Sequence, residues 1–350
     1  MLFTPARALS ALRLFLLFAV FAGIARADLV WDAKNGWRFV GGVLDGTQLS
    51  GPEGRNALDA MNKARASEEK GSRGAARKQY ESIAKKYPNS IYAPEALYRA
   101  ARLREKNHQY TKAFDRYQDV VTRYPATNHF NEIIGDQYRI ATALVDGVRP
   151  RYFGIIPGFK KRAKGIEYFE KIIVTAPYSD YAPLSLMNVA RGHQKLGNPD
   201  DAIDALDRMI NSYPQSLLAP DAYLKLGQAH ASLVTGPAYD QASTREAITY
   251  FEDFMILFPG DGGVAAAEKG QADMKAVLAR SKLVIGDFYF YKRSNYTAAR
   301  VFYNEAITSY PDSKVAELAR KRLDQVDARE NRRNSPTPPS QQRGKRFWLL

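Results

Sequence analysis

The feature that most constrains this fold is a proline that recurs along the chain, usually directly after Tyr or Phe. It stands at Pro88, Pro125, Pro177, Pro214, Pro259 and Pro311. Twelve positions earlier the residue is always small: Ala76, Ala113, Gly165, Ala202, Ala247 and Ala299. Eight positions earlier it is always large: Tyr80, Tyr117, Phe169, Leu206, Phe251 and Tyr303. Because such spacings share one helix face and proline ends a helix, the pattern predicts six packed helices, each stopping before its proline.

The helices that precede these six carry a matching signal. In three of them an Ala-Pro start is followed, seven positions after the proline, by a small residue that lets two helices approach closely: Ala101, Ala190 and Gly227. This small–large–proline spacing in helix pairs of about 34 residues is typical of the tetratricopeptide repeat. The sequence therefore predicts an all-α fold, a tetratricopeptide-repeat superhelix of about six helix pairs over residues 57–329, with a short N-terminal extended arm.

Residues 1–27 are predicted to be a signal peptide. Arg7 and Arg13 precede an apolar run, and the run ends in Ala25-Arg26-Ala27, the small-residue pattern of signal-peptidase cleavage. We therefore expect a mature chain that starts at Asp28 and is exported to the periplasm. The alternative is that this segment is retained as an anchor. The sequence contains no cysteine, which excludes disulfides, thiolate metal sites and a cysteine nucleophile.

Two further segments are predicted to flank the array. Residues 28–56 first alternate aromatic and apolar positions around Asn35-Gly36 and then become rich in glycine, so we expect a hairpin or extended arm followed by a flexible linker. We hypothesise that aromatic residues of this arm help to attach the protein to a membrane: Trp31, Trp37 and Phe39. Residues 330–350 are rich in Pro, Ser and Arg and are predicted to be a disordered basic tail.

The formal net charge of +14 narrows the class of partner. Such a charge is common in nucleic-acid-binding proteins, but predicted export argues against nucleic acid. Anionic membrane surfaces, cell-wall polymers and acidic protein surfaces fit an exported basic chain better. We therefore predict protein partners, an anionic membrane surface as a further one, and no nucleic acid.

The motifs that usually carry catalysis are missing from the sequence. It contains no G-x-x-x-x-G-K-[ST], G-x-S-x-G or H-E-x-x-H. Four histidines are scattered without the i,i+4 spacing of a helical zinc site: His108, His129, His193 and His230. The acidic run over 200–207 fits the first turns of a helix, where carboxylates complement the dipole. We therefore predict that the protein is not an enzyme and binds no metal and no cofactor.

The concave groove of a repeat array is the first candidate partner-binding surface, because stacked helix pairs present such a groove to peptides and helices. We place Tyr98, Arg102 and Tyr138 there. The alternative is that Tyr98 packs between repeats and that Arg102 is simply solvated.

The insertion over 149–164 is the second candidate surface. It holds six basic residues and no acid, and its prolines and glycines oppose a simple helix. We predict a loop that leaves the array and binds a partner through basic and aromatic residues. These residues are Arg151, Tyr152, Phe153 and Phe159. The alternative is a loop that folds over its own repeat.

The last repeat, residues 281–323, carries the most specific resemblance. The matching features are Phe288-Tyr289, Lys292-Arg293, Tyr296, Ala298-Ala299 and the YPDS sequence at 310–313. This segment resembles the BamD family, the tetratricopeptide lipoproteins of the outer-membrane β-barrel assembly machinery, and the insertion in the third repeat is also similar to that family. The resemblance implies that the N-terminal repeats bind unfolded barrel substrates. It also implies that the C-terminal repeats bind the central barrel subunit, through candidates Phe288, Tyr289, Lys292, Arg293 and Tyr296.

Two departures from that family affect the expected function. Its members commonly carry a lipobox cysteine after the signal, whereas this chain has none, so we expect no lipid anchor and peripheral attachment to the outer membrane from the periplasm. The predicted array also has one helix pair more than the family usually shows. The YPQSLLAPDAYLKLG sequence at 213–227 is closer to the Tol–Pal-associated coordinator of cell division. An envelope-division coordinator, or another periplasmic tetratricopeptide adaptor, is therefore the alternative to a scaffold in outer-membrane protein assembly.

Overall fold

In a computed structural model of the chain, the structure describes residues 28–40, 52–152, 155–239 and 241–334. The predicted signal peptide, most of the predicted linker, Phe153 and the tail beyond 334 lie outside these residues. The chain divides into two compact units, residues 1–192 and 193–350.

The first unit begins with a hairpin of β1 (Asp28–Asp32) and β2 (Gly36–Val40) and continues with helices. These are α1 (Pro52–Glu69), α2 (Arg73–Lys86), α3 (Ala93–Lys106), α4 (Tyr110–Arg123), α5 (Phe130–Val145), α6 (Arg162–Thr175) and α7 (Tyr181–Leu196), whose last turn crosses into the second unit. A second small hairpin, β3 (Arg151–Tyr152) with β4 (Ile156–Pro157), interrupts the array between α5 and α6. From α1 to α6, each helix packs against the next.

The second unit continues the helical pattern. Its helices are α8 (Pro199–Ser212), α9 (Ala219–Ser232), α10 (Ala242–Leu257), α11 (Val264–Asp287), α12 (Tyr296–Ser309) and α13 (Lys314–Asn334), with a π-helical segment (Phe288–Lys292) after α11. Each again packs against the next. Although α11 has 24 residues, no helix within the described ranges is long and apolar enough to cross a membrane.

The six helices predicted from the recurring proline are α2, α4, α6, α8, α10 and α12, each preceded by a partner helix in the described chain. The predicted all-α tetratricopeptide class is therefore confirmed. The residue before the proline leaves helical geometry, since proline disfavours it there. Tyr87 has φ −127° and ψ 58°, and Tyr124 and Tyr213 are closely similar.

The small residues twelve positions before each proline, named here the column of small residues, lie where neighbouring helices approach most closely. The five alanines of this column are fully buried, and Gly165 is buried with them. A Cβ added to Gly165 would lie 2.8 Å from Cγ2 of Val145 and 2.9 Å from the carbonyl oxygen of Ala141. The backbone of α6 therefore lies directly on α5, at a distance that leaves no room for a side chain.

The predicted hairpin of the N-terminal arm is present, with Trp31 opposite Trp37. The hypothesis that its aromatic residues attach the protein to a membrane is wrong for Trp37 and Phe39. Their side chains are only 2% and 6% exposed and pack into the core of the first repeats. The guanidinium of Arg99 lies 4.4 Å from the centroid of the Trp37 ring and covers it further.

Three segment boundaries in the structure differ from those predicted from the sequence. Helix α1 begins at Pro52, whereas the linker was predicted to extend to 56. The insertion ends at Lys161, because residues 162–164 form the first turn of α6. Helix α13 continues to Asn334, so residues 330–334 are helical and not part of a disordered tail. Arg300 holds this last turn, since its Nη2 donates to a carboxylate oxygen of Glu330 at 2.7 Å.

Replacing Gly165 by alanine is expected to lower the free energy of unfolding by about 1–3 kcal/mol, because the added methyl overpacks the contact between α5 and α6. Urea denaturation measures the change. Gly74→Ala is the matched control, since no atom lies within 4 Å of the position of its added Cβ. That change should leave stability unaltered or raise it by up to about 1 kcal/mol. Equal losses in the two variants would contradict the close approach.

Candidate functional site

The segment that carries the BamD-like residues is held in an unusual backbone conformation. Helix α11 passes without a break into the π-helical residues 288–292, and the Arg293 N–H bonds to the Phe288 carbonyl oxygen five residues back at 3.3 Å. Ser294 then adopts a positive φ of 49°. Asn295 starts α12, since its side-chain oxygen accepts from the Ala298 N–H at 3.0 Å. Short π segments inside helices frequently mark functional sites.

The π turn is supported from inside by aromatic packing. Phe290 is 1% exposed and packs against Tyr296 and Tyr303. The guanidinium of Arg329 lies 4.6 Å from the centroid of the Phe290 ring. Tyr289 stacks on Phe302 with a centroid distance of 5.4 Å and an interplanar angle of 3°. These contacts fix which side chains of the turn face outward.

The outward side chains form a ridge, named here the C-terminal ridge and made of Val284, Phe288, Tyr291, Lys292 and Arg293. Its three apolar members are 42%, 46% and 44% exposed, in that order. Val284 lies one α-helical turn before Phe288, and Tyr291 lies in the π turn, where its hydroxyl donates to the Gln325 side-chain oxygen at 3.2 Å. The Arg293 guanidinium lies 5.6 Å from the Phe288 ring centroid. An exposed aromatic face beside two cations is a composition enriched in protein interfaces.

The structure separates the five candidates of this segment. Phe288, Lys292 and Arg293 lie together on the ridge, as a partner-binding role requires. Tyr289 and Tyr296 are partly buried and support the ridge from behind. Sequence reasoning missed Val284 and Tyr291. The position of Val284, four residues before Phe288, was available as a helical signal, whereas Tyr291 lies in the π turn, for which α-helical spacing gives no signal.

The candidate groove residues of the first unit are bound into a polar network centred on His129. The His129 ring stacks on Tyr98 at 4.3 Å between centroids. Its Nε2 lies 2.8 Å from Glu95, and its Nδ1 lies 3.0 Å from Glu132. Arg102 pairs with Glu132 at 3.8 Å and covers the Tyr98 ring at 5.6 Å. The network therefore ties α3 to the start of α5.

This network corrects the predicted role of Tyr98. Its side chain is only 3% exposed, so it packs between repeats, as the alternative interpretation had it. Arg102 keeps half of its side chain exposed, although it is ion-paired. Tyr138 is partly buried against Phe169 and Tyr181, and its hydroxyl oxygen accepts from the Asn188 side-chain amide at 2.7 Å. Of the three groove candidates, Arg102 has the most accessible side chain.

The predicted basic loop forms the β3–β4 hairpin. Its base is fixed by the Arg151 N–H, which donates to the His108 carbonyl oxygen at 2.9 Å, and by the Gly158 N–H, which donates to Pro150 at 2.8 Å. Arg151 is exposed, and Phe159 is 81% exposed. The side chain of Tyr152, and Phe153 as a whole, lie outside what the structure describes.

A further polar arrangement recurs wherever the large residue eight positions before the proline is a tyrosine. The Tyr117 hydroxyl donates to Glu105 at 2.8 Å, and Arg139 of the next repeat pairs with the same carboxylate at 2.7 Å. Burial, and then the charge of Glu105, raises the pKa of Tyr117, so the phenol remains a hydrogen-bond donor at any ordinary pH. The same triad recurs twice: Tyr80–Glu68–Arg99 and Tyr303–Asp287–Arg322.

Comparison with known families decides the assignment. A family model described as "Outer membrane lipoprotein" matches residues 160–334, half of the chain, and this range includes the whole C-terminal ridge. The chain belongs to this outer-membrane lipoprotein family. A tetratricopeptide repeat model also matches residues 95–127, which cover most of α3 and all of α4.

Two curated relatives, from Xylella fastidiosa strains 9a5c and Temecula1, are named outer membrane protein assembly factor BamD. Each is 23% identical to this chain over 155 residues. The matches cover 41% of this chain and 53% of each relative, so the chain spans about half the length of the curated relatives it matches. The resemblance to BamD drawn from residues 281–323 is confirmed.

The chain is also similar to solved structures. One, a tetratricopeptide repeat protein from Parabacteroides merdae ATCC 43184, is 12% identical with a TM-score of 0.31, and the alignment covers 78% of this chain and 99% of that one. Another is PilW, described as a widely conserved type IV pilus biogenesis factor. It is 14% identical with a TM-score of 0.28, over 75% of this chain and 98% of that one.

His129 is expected to make stability depend on pH. Its hydrogen bond to Glu95 raises its pKa above the ordinary value of 6.5. A raised histidine pKa contributes stability that is complete below the unfolded-state pKa and is lost as the pH rises through the folded-state pKa. His129→Gln should therefore cost more at about pH 5.5 than at about pH 8.5 in urea denaturation.

His230→Gln is the control of opposite sign. Burial lowers the pKa of His230, so the wild-type imidazole destabilises the fold as the pH falls through its unfolded-state value. Removing it should make the protein relatively more stable at low pH. Identical pH dependence in the two variants would contradict the role given to the Glu95–His129 contact.

Proposed function

We propose that the protein is a non-enzymatic scaffold in the assembly and insertion of outer-membrane β-barrel proteins, and that its C-terminal ridge binds a periplasmic domain of the central barrel subunit. One observation carries this proposal. The part of the chain that matches the outer-membrane lipoprotein family also presents Phe288 and Tyr291 to solvent beside Lys292 and Arg293. Aromatic and arginine side chains that become buried when a partner binds are enriched in interface hot spots.

The ridge is suited to recognise a folded partner. Its aromatic side chains are held by packing behind them, so they lose little conformational freedom on binding. Lys292 and Arg293 add positive charge at its C-terminal end, which favours association with an acidic surface. The fitting partner is therefore a preformed domain with an apolar pocket and acidic rim.

The first unit is the proposed binding surface for unfolded barrel substrates. Arg102 and Arg139 are 50% and 61% exposed on neighbouring repeats, although each is paired with a carboxylate. Exposed guanidinium groups can contact the backbone carbonyls and aromatic side chains of an extended chain. Support for this role comes from the relatives, which are named assembly factors.

The proposed location is the periplasmic side of the outer membrane. The family is one of outer-membrane lipoproteins, but this chain has no cysteine to carry a thioether-linked lipid. We propose that contacts with protein partners and with the membrane surface hold it there.

The test is affinity purification from the envelope fraction with a ridge variant. Phe288→Ser with Tyr291→Ser should reduce recovery of the central barrel subunit at least about tenfold, because it removes both exposed aromatic anchors. Lys292→Glu with Arg293→Glu, which leaves the aromatic packing behind the ridge in place, should weaken recovery in a salt-dependent way.

Val301→Ser with Leu318→Ser is the matched control, since these side chains of α12 and α13 are also exposed, at 51% and 40%. It should leave recovery unchanged. Recovery of Tol–Pal or peptidoglycan-synthesis proteins in place of a barrel subunit would overturn the proposal in favour of an envelope-division coordinator.

A further inference from the structure

The β3–β4 hairpin carries apolar side chains that the fold does not cover. Ile155, Ile156 and Phe159 are 79%, 57% and 81% exposed within five residues of sequence. Contiguous exposed apolar side chains on a soluble domain mark an interaction site. In the described part of the chain nothing packs over them, so the occupant must come from outside these residues.

The charge around these side chains points to an anionic occupant. Between Asp146 and Glu167 the sequence has no acidic residue. Arg149, Arg151 and Lys160 are exposed and form no ion pair with any carboxylate that the structure describes. The adjacent cations are used internally: the Arg162 Nε donates to the Val145 carbonyl oxygen at 3.2 Å, and Lys164 pairs with Glu167 at 2.7 Å.

The hairpin is also attached firmly to the rest of the first unit. Main-chain bonds to His108 and Pro150 fix its base, and the Gly158 backbone is buried at that base. The Arg151–Pro157 and Tyr152–Ile156 pairs hold the two strands together. The exposed apolar residues therefore belong to an element that is fixed at its base while these side chains remain open to solvent.

We propose that this hairpin is a peripheral membrane-binding element, in which Ile155, Ile156 and Phe159 insert into the interfacial region of an anionic phospholipid surface while Arg149, Arg151 and Lys160 contact the headgroups. Apolar side chains that enter the acyl boundary beneath a ring of cations are the usual composition of interfacial anchors. Exposed apolar side chains beside exposed cations suit a deformable anionic bilayer better than they suit a protein, which would have to offer a matching pocket. The inference does not depend on the function proposed for the C-terminal ridge.

Vesicle co-sedimentation tests the charge contribution with the chain from Asp28 to Leu350, the predicted mature form. Arg149→Gln, Arg151→Gln and Lys160→Gln together should weaken binding to phosphatidylcholine vesicles that contain phosphatidylglycerol by about a hundredfold at low salt, since each cation near an anionic surface contributes roughly fivefold. Binding to pure phosphatidylcholine should change little. The matched control is Lys78→Gln, Lys85→Gln and Lys86→Gln, three exposed lysines of α2, which changes the net charge equally and should retain most of the binding.

The apolar contribution is tested separately. Ile156→Ser with Phe159→Ser should weaken binding to the same anionic vesicles at least about tenfold, and high salt should not abolish the difference. Val174→Ser with Tyr178→Ser is the control, because these residues of the same unit are 80% and 101% exposed and lie outside the hairpin. Circular dichroism confirms that each variant is folded.

Phe159→Trp gives a direct readout of depth. Brominated phospholipids in the anionic vesicles should quench the added tryptophan, measured as the difference from the parent chain with its own three tryptophans. An unquenched probe, or hairpin variants that bind vesicles as well as their controls do, would overturn the proposal. Retained recovery of the barrel subunit by the hairpin variants would show that only membrane binding was lost, whereas loss of that recovery with vesicle binding intact would identify the hairpin as a protein contact and overturn it.

Discussion

The packing of both units depends on the close approach of helix backbones at the column of small residues. Where Gly165 faces Ala141 and Val145, the distances leave no room for even one methyl group. This approach brings the large residue four positions later into the interhelical space, where Tyr117 and Phe169 are fully buried. The proline joint that follows then turns the chain so that the next helix can pack on the same pair. The small residue, the large residue and the proline therefore act together to pack each helix against the next.

Because these positions are needed for packing, few positions in a regular repeat are available to bind a partner. The two exposed apolar surfaces proposed to bind partners occur where the repeat spacing is stretched, in the insertion before α6 and at the extended end of α11. In the insertion, a hairpin carries side chains away from the helices. In the extension, the π turn buries Phe290 and leaves Phe288 and Tyr291 outside. Extra residues therefore add surface without disturbing the packed columns.

The sequence predicts the periodic part of the molecule and fails where contacts come from distant residues. The six joints and buried columns follow from local spacing and were predicted correctly. Tyr98 was assigned to the groove because its helical position allows it, but its burial depends on His129, which belongs to the next repeat. Trp37 and Phe39 looked like an exposed arm because no local pattern shows that α1 and Arg99 cover them. The π turn has no periodic signal, since it depends on Tyr296 and Tyr303 receiving Phe290.

The tyrosine triads fix the register of neighbouring helices, which apolar packing alone does not do. A buried phenylalanine would fill the column equally well, as Phe169 and Phe251 do. A tyrosine in the same place donates to a carboxylate of the preceding helix, and an arginine from the following helix completes the set, so three successive helices are fixed in register. Asp287, the carboxylate of the triad formed with Tyr303 and Arg322, lies directly before the π turn. This triad therefore fixes the base of the C-terminal ridge, so that an irregular segment with exposed aromatic side chains is held by a rigid polar contact on its N-terminal side.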